Sequence, residues 1–251
     1  MRFGILLFVW GTITVCASAQ SPEDLFDEGN VHYREGRFRE AVAAYEGVIK
    51  QGYVSAPLYF NLGNAQYRLG NNAGAILAYE RSLRLDPGDA DVEFNLKLAN
   101  LRTIDRIDAV PELSLVTWLK ALAAISPLHV TKGILIAAWV ALFAALSILN
   151  LVPGTSFERA LRLGVIVCVV VVVPVGGLFV LQRYEADDQS KAIVMVPIVT
   201  AKVSPDEQSL DAFVMHAGLK VQVGDLVGEW VRITLADGKV GWIQRSSCEL
   251  I

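Results

Sequence analysis

The chain has 251 residues, a formal net charge of -4 and 53% hydrophobic residues, and its mean hydropathy of +0.43 is high for a soluble protein. It has no long Lys/Arg run, so the basic surface that nucleic acid binding requires is not expected. The apolar excess lies in three blocks near 3–16, 133–152 and 163–181, which indicates a multidomain membrane protein with targeting or membrane segments.

The first 19 residues have the three parts of a secretory signal peptide: Arg2, the apolar run 3–15 and the small residues 17–19. We expect cleavage directly after this segment. Two alternatives stay open. One is a lipoprotein signal at Cys16, although Val15 stands where a small residue is usual, and the other is an anchor that is not cleaved.

A repeat with an offset of 34 follows. Residues 29–36 and 63–70 share Gly, Asn, Tyr, Arg and Gly in register, and the match continues to Tyr45 with Tyr79. This period is typical of the TPR helix–turn–helix unit. The sequence therefore predicts an all-α TPR solenoid over residues 20–110, with a capping helix in 89–106.

The glycines of the repeat have two predicted roles. Gly29 and Gly63 are expected where the two helices of a unit pack closely, and Gly36 and Gly70 where the first helix ends.

One face of the first helix in each unit is the candidate peptide-binding surface, since TPR arrays use this helix for their concave side. Its asparagines would bond an extended peptide and its arginines would attract acidic groups. The alternative is that Gly-Asn is simply common at this place and that the arginines are a solvated rim. The candidate residues are Phe26, Asn30, Tyr33, Arg34, Phe60, Asn64, Tyr67 and Arg68.

Two uncharged runs, 133–152 and 163–181, are each about long enough to cross the hydrocarbon core, and the short loop 153–162 makes them a transmembrane hairpin. No ionisable side chain lies in either run, so a plain anchor is favoured over a channel. The signal peptide places 20–132 outside, and the loop in the cytoplasm. Residues 111–132 are expected to form an amphipathic interfacial linker.

Small residues recur every four positions in the first span, and this stripe is expected to face the second span. Its members are Gly133, Ala137, Ala141 and Ala145, with Gly164 or the pair Gly176 and Gly177 opposite.

Residues 182–251 change to short β-rich runs separated by Pro, Gly and Asp turns. The strings 217–223, 229–233 and 237–243 resemble bacterial SH3 domains, which implies a small all-β SH3-like barrel. Members of that family often bind cell-wall peptides or proteins, so Phe213 and Trp230 are candidate ligand contacts. Trp242 is expected in the barrel core.

Little in the chain points to chemistry. The three histidines lie in separate segments without metal-ligand spacing, and each is expected to have a surface or helix-packing role. No phosphate-binding loop or nucleophile motif is present. We therefore expect no catalytic residue, no metal and no cofactor.

The order of signal peptide, TPR pair, hairpin and SH3-like module resembles the BatE-type TPR proteins of bacterial aerotolerance operons. The resemblance implies an adaptor in the cytoplasmic (inner) membrane, with both modules on the extracytoplasmic side. It also implies partners with von Willebrand factor A domains and a MoxR-type AAA ATPase system. Three functions remain: a scaffold of such a complex, a sensor that binds peptidoglycan peptides, and an accessory of an enzyme.

Overall fold

The structure, a computed structural model, describes residues 20–107, 118, 126, 128–151, 153–154, 156–187 and 190–251. The predicted signal peptide at 1–19 and most of the predicted interfacial linker at 111–132 lie outside these residues.

The N-terminal module is a row of five helices, four of which begin with a side-chain cap. Side chains of Ser21, Ser55, Asn71 and Asp89 accept backbone N–H groups at the starts of four helices, as good N-caps do. The helices are α1 (Pro22–Arg34), α2 (Phe38–Lys50), α3 (Ala56–Arg68), α4 (Asn72–Leu85) and α5 (Ala90–Asn100). The capping helix predicted in 89–106 is thus present as α5.

The repeat glycines have the predicted roles. A Cβ atom on Gly29 would lie 2.5 Å from Cε1 of Tyr45, and one on Gly63 would lie 2.6 Å from Cε1 of Tyr79. The tyrosine ring of the second helix therefore needs a glycine on the first. Gly36 and Gly70 have φ of 77° and 78° directly after the first helices, a conformation that closes a helix at little cost for glycine.

Two long apolar helices, α6 (Leu128–Leu149) and α7 (Ser156–Asp187), follow the repeat module. Both are long and apolar enough to cross a membrane. Their ends are level, because Nε2 of Gln182 in α7 donates to the carbonyl of Ser126, just before α6, at 2.8 Å. The two helices therefore run antiparallel, as a hairpin must.

The stripe predicted to hold the hairpin together is wrong for three of its four residues. Gly133, Ala137 and Ala141 are exposed, and nothing lies within 4 Å of a Cβ atom on Gly133. The fourth, Ala145, is partly buried, and a Cβ atom on Gly176 of α7 would lie 3.9 Å from Cδ1 of Leu135. The seam on α6 instead follows a spacing of three and four, which keeps side chains on one side of a helix, whereas a row at every fourth position drifts around it. The seam residues are Thr131, Leu135, Ala138, Leu142, Ala145 and Leu149.

The C-terminal module is one antiparallel sheet in the order β3-β2-β6-β5-β4-β1-β7. The strands are β1 (Lys191–Val194), β2 (Ile198–Lys202), β3 (Asp211–His216), β4 (Lys220–Val227), β5 (Trp230–Thr234), β6 (Val240–Gln244) and β7 (Cys248–Leu250). A barrel would close on itself, but this sheet is open, with β3 and β7 as its edges.

The core of this β module is made by alternate residues of its strands. In β6 the inward positions belong to Gly241 and Ile243, and Ile243 is fully buried. Trp242 lies between them, so it points to the opposite face and is only partly buried. The prediction that Trp242 fills the core is wrong for this reason.

Candidate functional site

A pocket of about 170 Å³ opens on the side of the repeat module formed by α1, α3 and α5, and we call it the repeat groove. It unites four of the eight predicted peptide contacts: Tyr33, Asn64, Tyr67 and Arg68. The other residues that line it are Tyr79, Asn95 and Leu98. Residues of four helices, α1, α3, α4 and α5, thus contribute aromatic rings, amides and one guanidinium to a single concave site.

Asn64 lies at the centre of the groove, and its carbonyl oxygen is already used. Oδ1 accepts from the hydroxyl of Tyr79 at 2.8 Å and from Nδ2 of Asn95 at 2.9 Å. A carbonyl oxygen has two lone pairs, so both are filled. The amide Nδ2 of Asn64 is the part of the side chain that these bonds leave to a ligand.

The first unit repeats this arrangement. Oδ1 of Asn30 accepts from the hydroxyl of Tyr45 at 2.8 Å and from Nδ2 of Asn61 at 2.9 Å. Both predicted asparagines therefore have a structural bond to the tyrosine of their own unit and a second bond to the next unit. The recurrence of Gly-Asn is thus explained by bonds within the repeat module.

Arg68 of the groove stacks on an aromatic ring, and so does Arg102, which lies over the groove residue Tyr67 but does not line the pocket. The guanidinium of Arg68 lies 4.7 Å from the ring centre of Phe38, and that of Arg102 lies 4.0 Å from the ring centre of Tyr67. A stacked guanidinium uses its face for the ring and keeps the N–H donors at its edge available for a carboxylate. Arg34, at the equivalent position in the first unit, is exposed.

Two other predicted contacts belong to the helix packing. The ring of Phe26 lies 5.9 Å from that of Tyr45, and the ring of Phe60 lies 6.2 Å from that of Tyr79. Both phenylalanines are partly buried against the cores of their units. They do not line the repeat groove.

Burial changes the acidity of the core tyrosines. It is the main cause that raises the pKa of Tyr45 from 10.0 to about 12, with Tyr33 contributing. It also raises the pKa of Tyr79, with Tyr33 and Tyr67 contributing. Both hydroxyls therefore stay protonated as donors to their asparagines at neutral pH.

The β module has a second cleft, of about 600 Å³, beside Trp230. Its other lining residues are Pro205, Asp206, Glu207, Gln208, Glu229 and Gln244. Trp230, a predicted ligand contact, is thus in this cleft. Phe213 is not, because its ring packs against Gly241 and the β-module core.

Three groove residues were missed from the sequence: Tyr79, Asn95 and Leu98. The signal for Asn95 is present, because Phe60-Asn61-Leu62 recurs as Phe94-Asn95-Leu96 at the same offset of 34. Helix α5 therefore corresponds to α1 and α3, which are the first helices of the two units.

The histidines do not lie together. His32 lies near Glu28 at 3.3 Å, whereas His216 of the β module bonds Asp105, which follows α5. Among the described residues, no three His, Cys, Asp or Glu side chains form a group that could hold a metal ion.

Comparison with known families supports the repeat module. The tetratricopeptide repeat family matches residues 26–90, which run from within α1 to the start of α5 and cover most of the first unit and all of the second. No curated protein matches the chain. The TPR match indicates a protein–protein interaction module.

Proposed function

We propose that this chain is a non-catalytic, membrane-anchored adaptor whose repeat groove binds an extended segment of a partner protein. The observation that carries the proposal is the groove itself, which lies within a TPR module joined to a pair of helices apolar enough to span a membrane. An anchored module with an open groove is suited to hold partners at the membrane surface.

The ligand should be acidic or end in a carboxylate. Asn64 offers an amide donor, and Arg68 and Arg102 offer guanidinium edges while their faces rest on rings. Arginine edges match carboxylates in shape and charge. The aromatic walls of Tyr33 and Tyr67 suit apolar side chains between the acidic groups.

The membrane side and the partners rest on the resemblance to BatE-type proteins. On that basis both modules lie outside the cytoplasmic membrane of a bacterium, in an aerotolerance or stress-related complex. Proteins with von Willebrand factor A domains and a MoxR-type AAA ATPase system are the partners that the resemblance implies.

Quantitative co-purification of membrane proteins with the full chain tests this function. Arg68→Glu should reduce recovery of the true partners at least tenfold, because it reverses the charge that faces an acidic ligand. Arg39→Glu is the control, since Arg39 is exposed on α2 and does not line the groove. Equal recovery with the two variants would exclude the groove as the binding site.

A cell-wall sensor is the second candidate, and the cleft beside Trp230 favours it. Asp206, Glu207 and Glu229 give this cleft a negative lining, suited to the free amino groups of peptidoglycan peptides. Trp230→Ala should then abolish sedimentation of the chain with isolated sacculi. An adaptor should instead keep its membrane partners with this substitution.

A further inference from the structure

The β module is packed against the repeat module, and the contact is clearest at strand β1. Three successive residues of β1, Ala192, Ile193 and Val194, are fully buried. Successive side chains of a strand point to opposite faces, so this strand is covered on both. Ala192 and Val194 belong to the β-module core, whereas Ile193 belongs to the core of the second repeat.

The apolar contact surface extends beyond this one residue. Ile193 shares its cluster with the buried Ile76 and Tyr79 of α4 and with Ala99 of α5. Met195, Ala217 and Ile251 of the β module pack at its margin. Separation of the modules would expose all of these side chains to water, at a cost proportional to the apolar area.

A glycine of the β module packs closely against side chains of the repeat module and of the segment after it. Gly218, between β3 and β4, has a φ of 93°, and a Cβ atom on it would lie 2.9 Å from Cγ2 of Thr103 and 3.1 Å from Cδ1 of Ile76. A residue with a side chain would therefore be strained by its backbone and pressed into α4 and the segment after α5.

Polar contacts surround the apolar surface. Nζ of Lys220 lies 2.7 Å from Oε2 of Glu80, and Nη2 of Arg81 lies 2.9 Å from Oε1 of Glu249. The carboxylate of Asp105 accepts the backbone N–H of His216 at 2.6 Å, and its other oxygen lies 2.9 Å from the imidazole Nδ1.

These contacts also occupy the edges of the open sheet. His216 is the last residue of edge strand β3, and Asp105 takes its N–H. Arg81 donates to the carbonyl of Leu250 in edge strand β7 at 2.6 Å, and Arg84 donates to that of Ile251. Backbone groups of an unpaired edge are otherwise open to pairing with other chains.

We infer that the β module is a permanent cap of the repeat module, so that the two form one unit although the membrane hairpin separates them in sequence. One consequence is that both modules lie on the same side of the membrane. A second is that the repeat groove and the Trp230 cleft are held at a fixed spacing. The inference does not depend on what either site binds.

Carbodiimide crosslinking of the full chain in native membranes tests the cap. The reagent joins a carboxylate to an adjacent amine as an amide, with loss of water, so Glu80 should be joined to Lys220. Lys202 and Asp211 are also 2.7 Å apart, and both lie in the β module. A link between them therefore shows that the reagent has reacted, whether or not the two modules are docked. A 202–211 link without an 80–220 link, in peptides read by mass spectrometry, would overturn the inference.

Variants separate docking from folding of the β module. Gly218→Ala should lower the 80–220 yield at least tenfold and leave the 202–211 link. Gly228→Ala is the matched control, because Gly228 also has a positive φ, of 60°, but no neighbour within 4 Å of its Cβ position. Equal 80–220 yields in the two variants would contradict the close packing at Gly218.

A charge swap covers the case in which Gly218→Ala does not fold. The double variant Glu80→Lys with Lys220→Glu, which keeps Gly218, should still form the 80–220 link, and its absence would contradict the docking. Mixed isotopically labelled and unlabelled chains show whether the link lies within one chain. Links between labelled and unlabelled peptides would overturn an intramolecular cap.

Discussion

At the scale of single residues, three residues of each unit depend on one another. Gly29 makes room for the ring of Tyr45, and Asn30 accepts the hydroxyl of that tyrosine. A hydroxyl buried without an acceptor would be costly. The residues most conspicuous in the repeat are therefore explained first by packing, and the ligand role of Asn30 and Asn64 is limited to their amide nitrogens.

Alkaline pH should weaken the repeat module through Tyr45. Its pKa is raised from 10.0 to about 12 in the fold, so the stability it contributes is complete below pH 10 and is lost as the pH rises to 12. In that window the free energy of unfolding of the wild type should fall more steeply than that of Tyr45→Phe, by about 1.4 kcal/mol per pH unit.

Urea unfolding of the full chain in detergent, followed by circular dichroism, measures this difference. At neutral pH Tyr45→Phe should be less stable by about 1 kcal/mol, because it loses the bond to Asn30. Tyr53→Phe, at a side chain that is 56% exposed, is the control and should follow the wild type. Parallel curves for Tyr45→Phe and wild type would contradict the burial argument.

At the scale of helices and strands, close contacts between neighbours decide the geometry. The contact between the glycine of the first helix and the tyrosine ring of the second sets the distance between the two helices of a unit. A spacing of three and four along α6 sets the seam of the hairpin. One edge strand of the open sheet, β7, is only 3 residues long, and the repeat module and the segment after it contact parts of both edges.

Gly63→Ala should destabilise the repeat module by about 1 to 3 kcal/mol, since the new methyl group would overlap the ring of Tyr79. Gly47→Ala is a matched helical control, because its Cβ would meet Leu25 only at 3.5 Å. It should gain up to about 1 kcal/mol from the lower chain entropy. Thermal unfolding measures both, and equal shifts would contradict the role of Gly63.

At the scale of the whole molecule, the two apolar helices join two modules that pack together. Bonds such as that from His216 to Asp105 connect residues 111 positions apart. The hairpin is the simplest path that leads the chain through a membrane and back to the same side. The extracytoplasmic location of the two modules remains a prediction from the signal peptide.

Labelling of introduced cysteines on intact spheroplasts tests the topology. Cys248 is a poor reporter, because it is partly buried and burial raises the pKa of its thiol. Exposed positions are better: Arg39→Cys in α2, Ala236→Cys in a β-module turn and Leu151→Cys in the hairpin loop, in a chain whose native cysteines are replaced by serine.

An impermeant maleimide should label positions 39 and 236 before lysis and position 151 only after it. Labelling of only one of the two modules before lysis would contradict their shared side. Labelling of both modules only after lysis would reverse the proposed orientation.

Much of the fold and half of the predicted repeat site follow from the sequence. The offset of 34 predicts both helix pairs, and Tyr33, Asn64, Tyr67 and Arg68 do line one groove. Phe26 and Phe60 were misplaced because a helical face alone does not distinguish a groove from a packed neighbour.

Local chemistry determined the repeat and the hairpin: glycine, asparagine and tyrosine at fixed spacing specify helix pairs, and uninterrupted apolar length specifies spans. Three features were decided only by the tertiary structure. Ile193 packs in the core of the repeat module, and Asp105 and Arg81 bond backbone groups at the sheet edges. The sheet is open rather than closed into a barrel. These features arise from contacts between segments far apart in the chain, and such contacts leave no periodic trace in either segment.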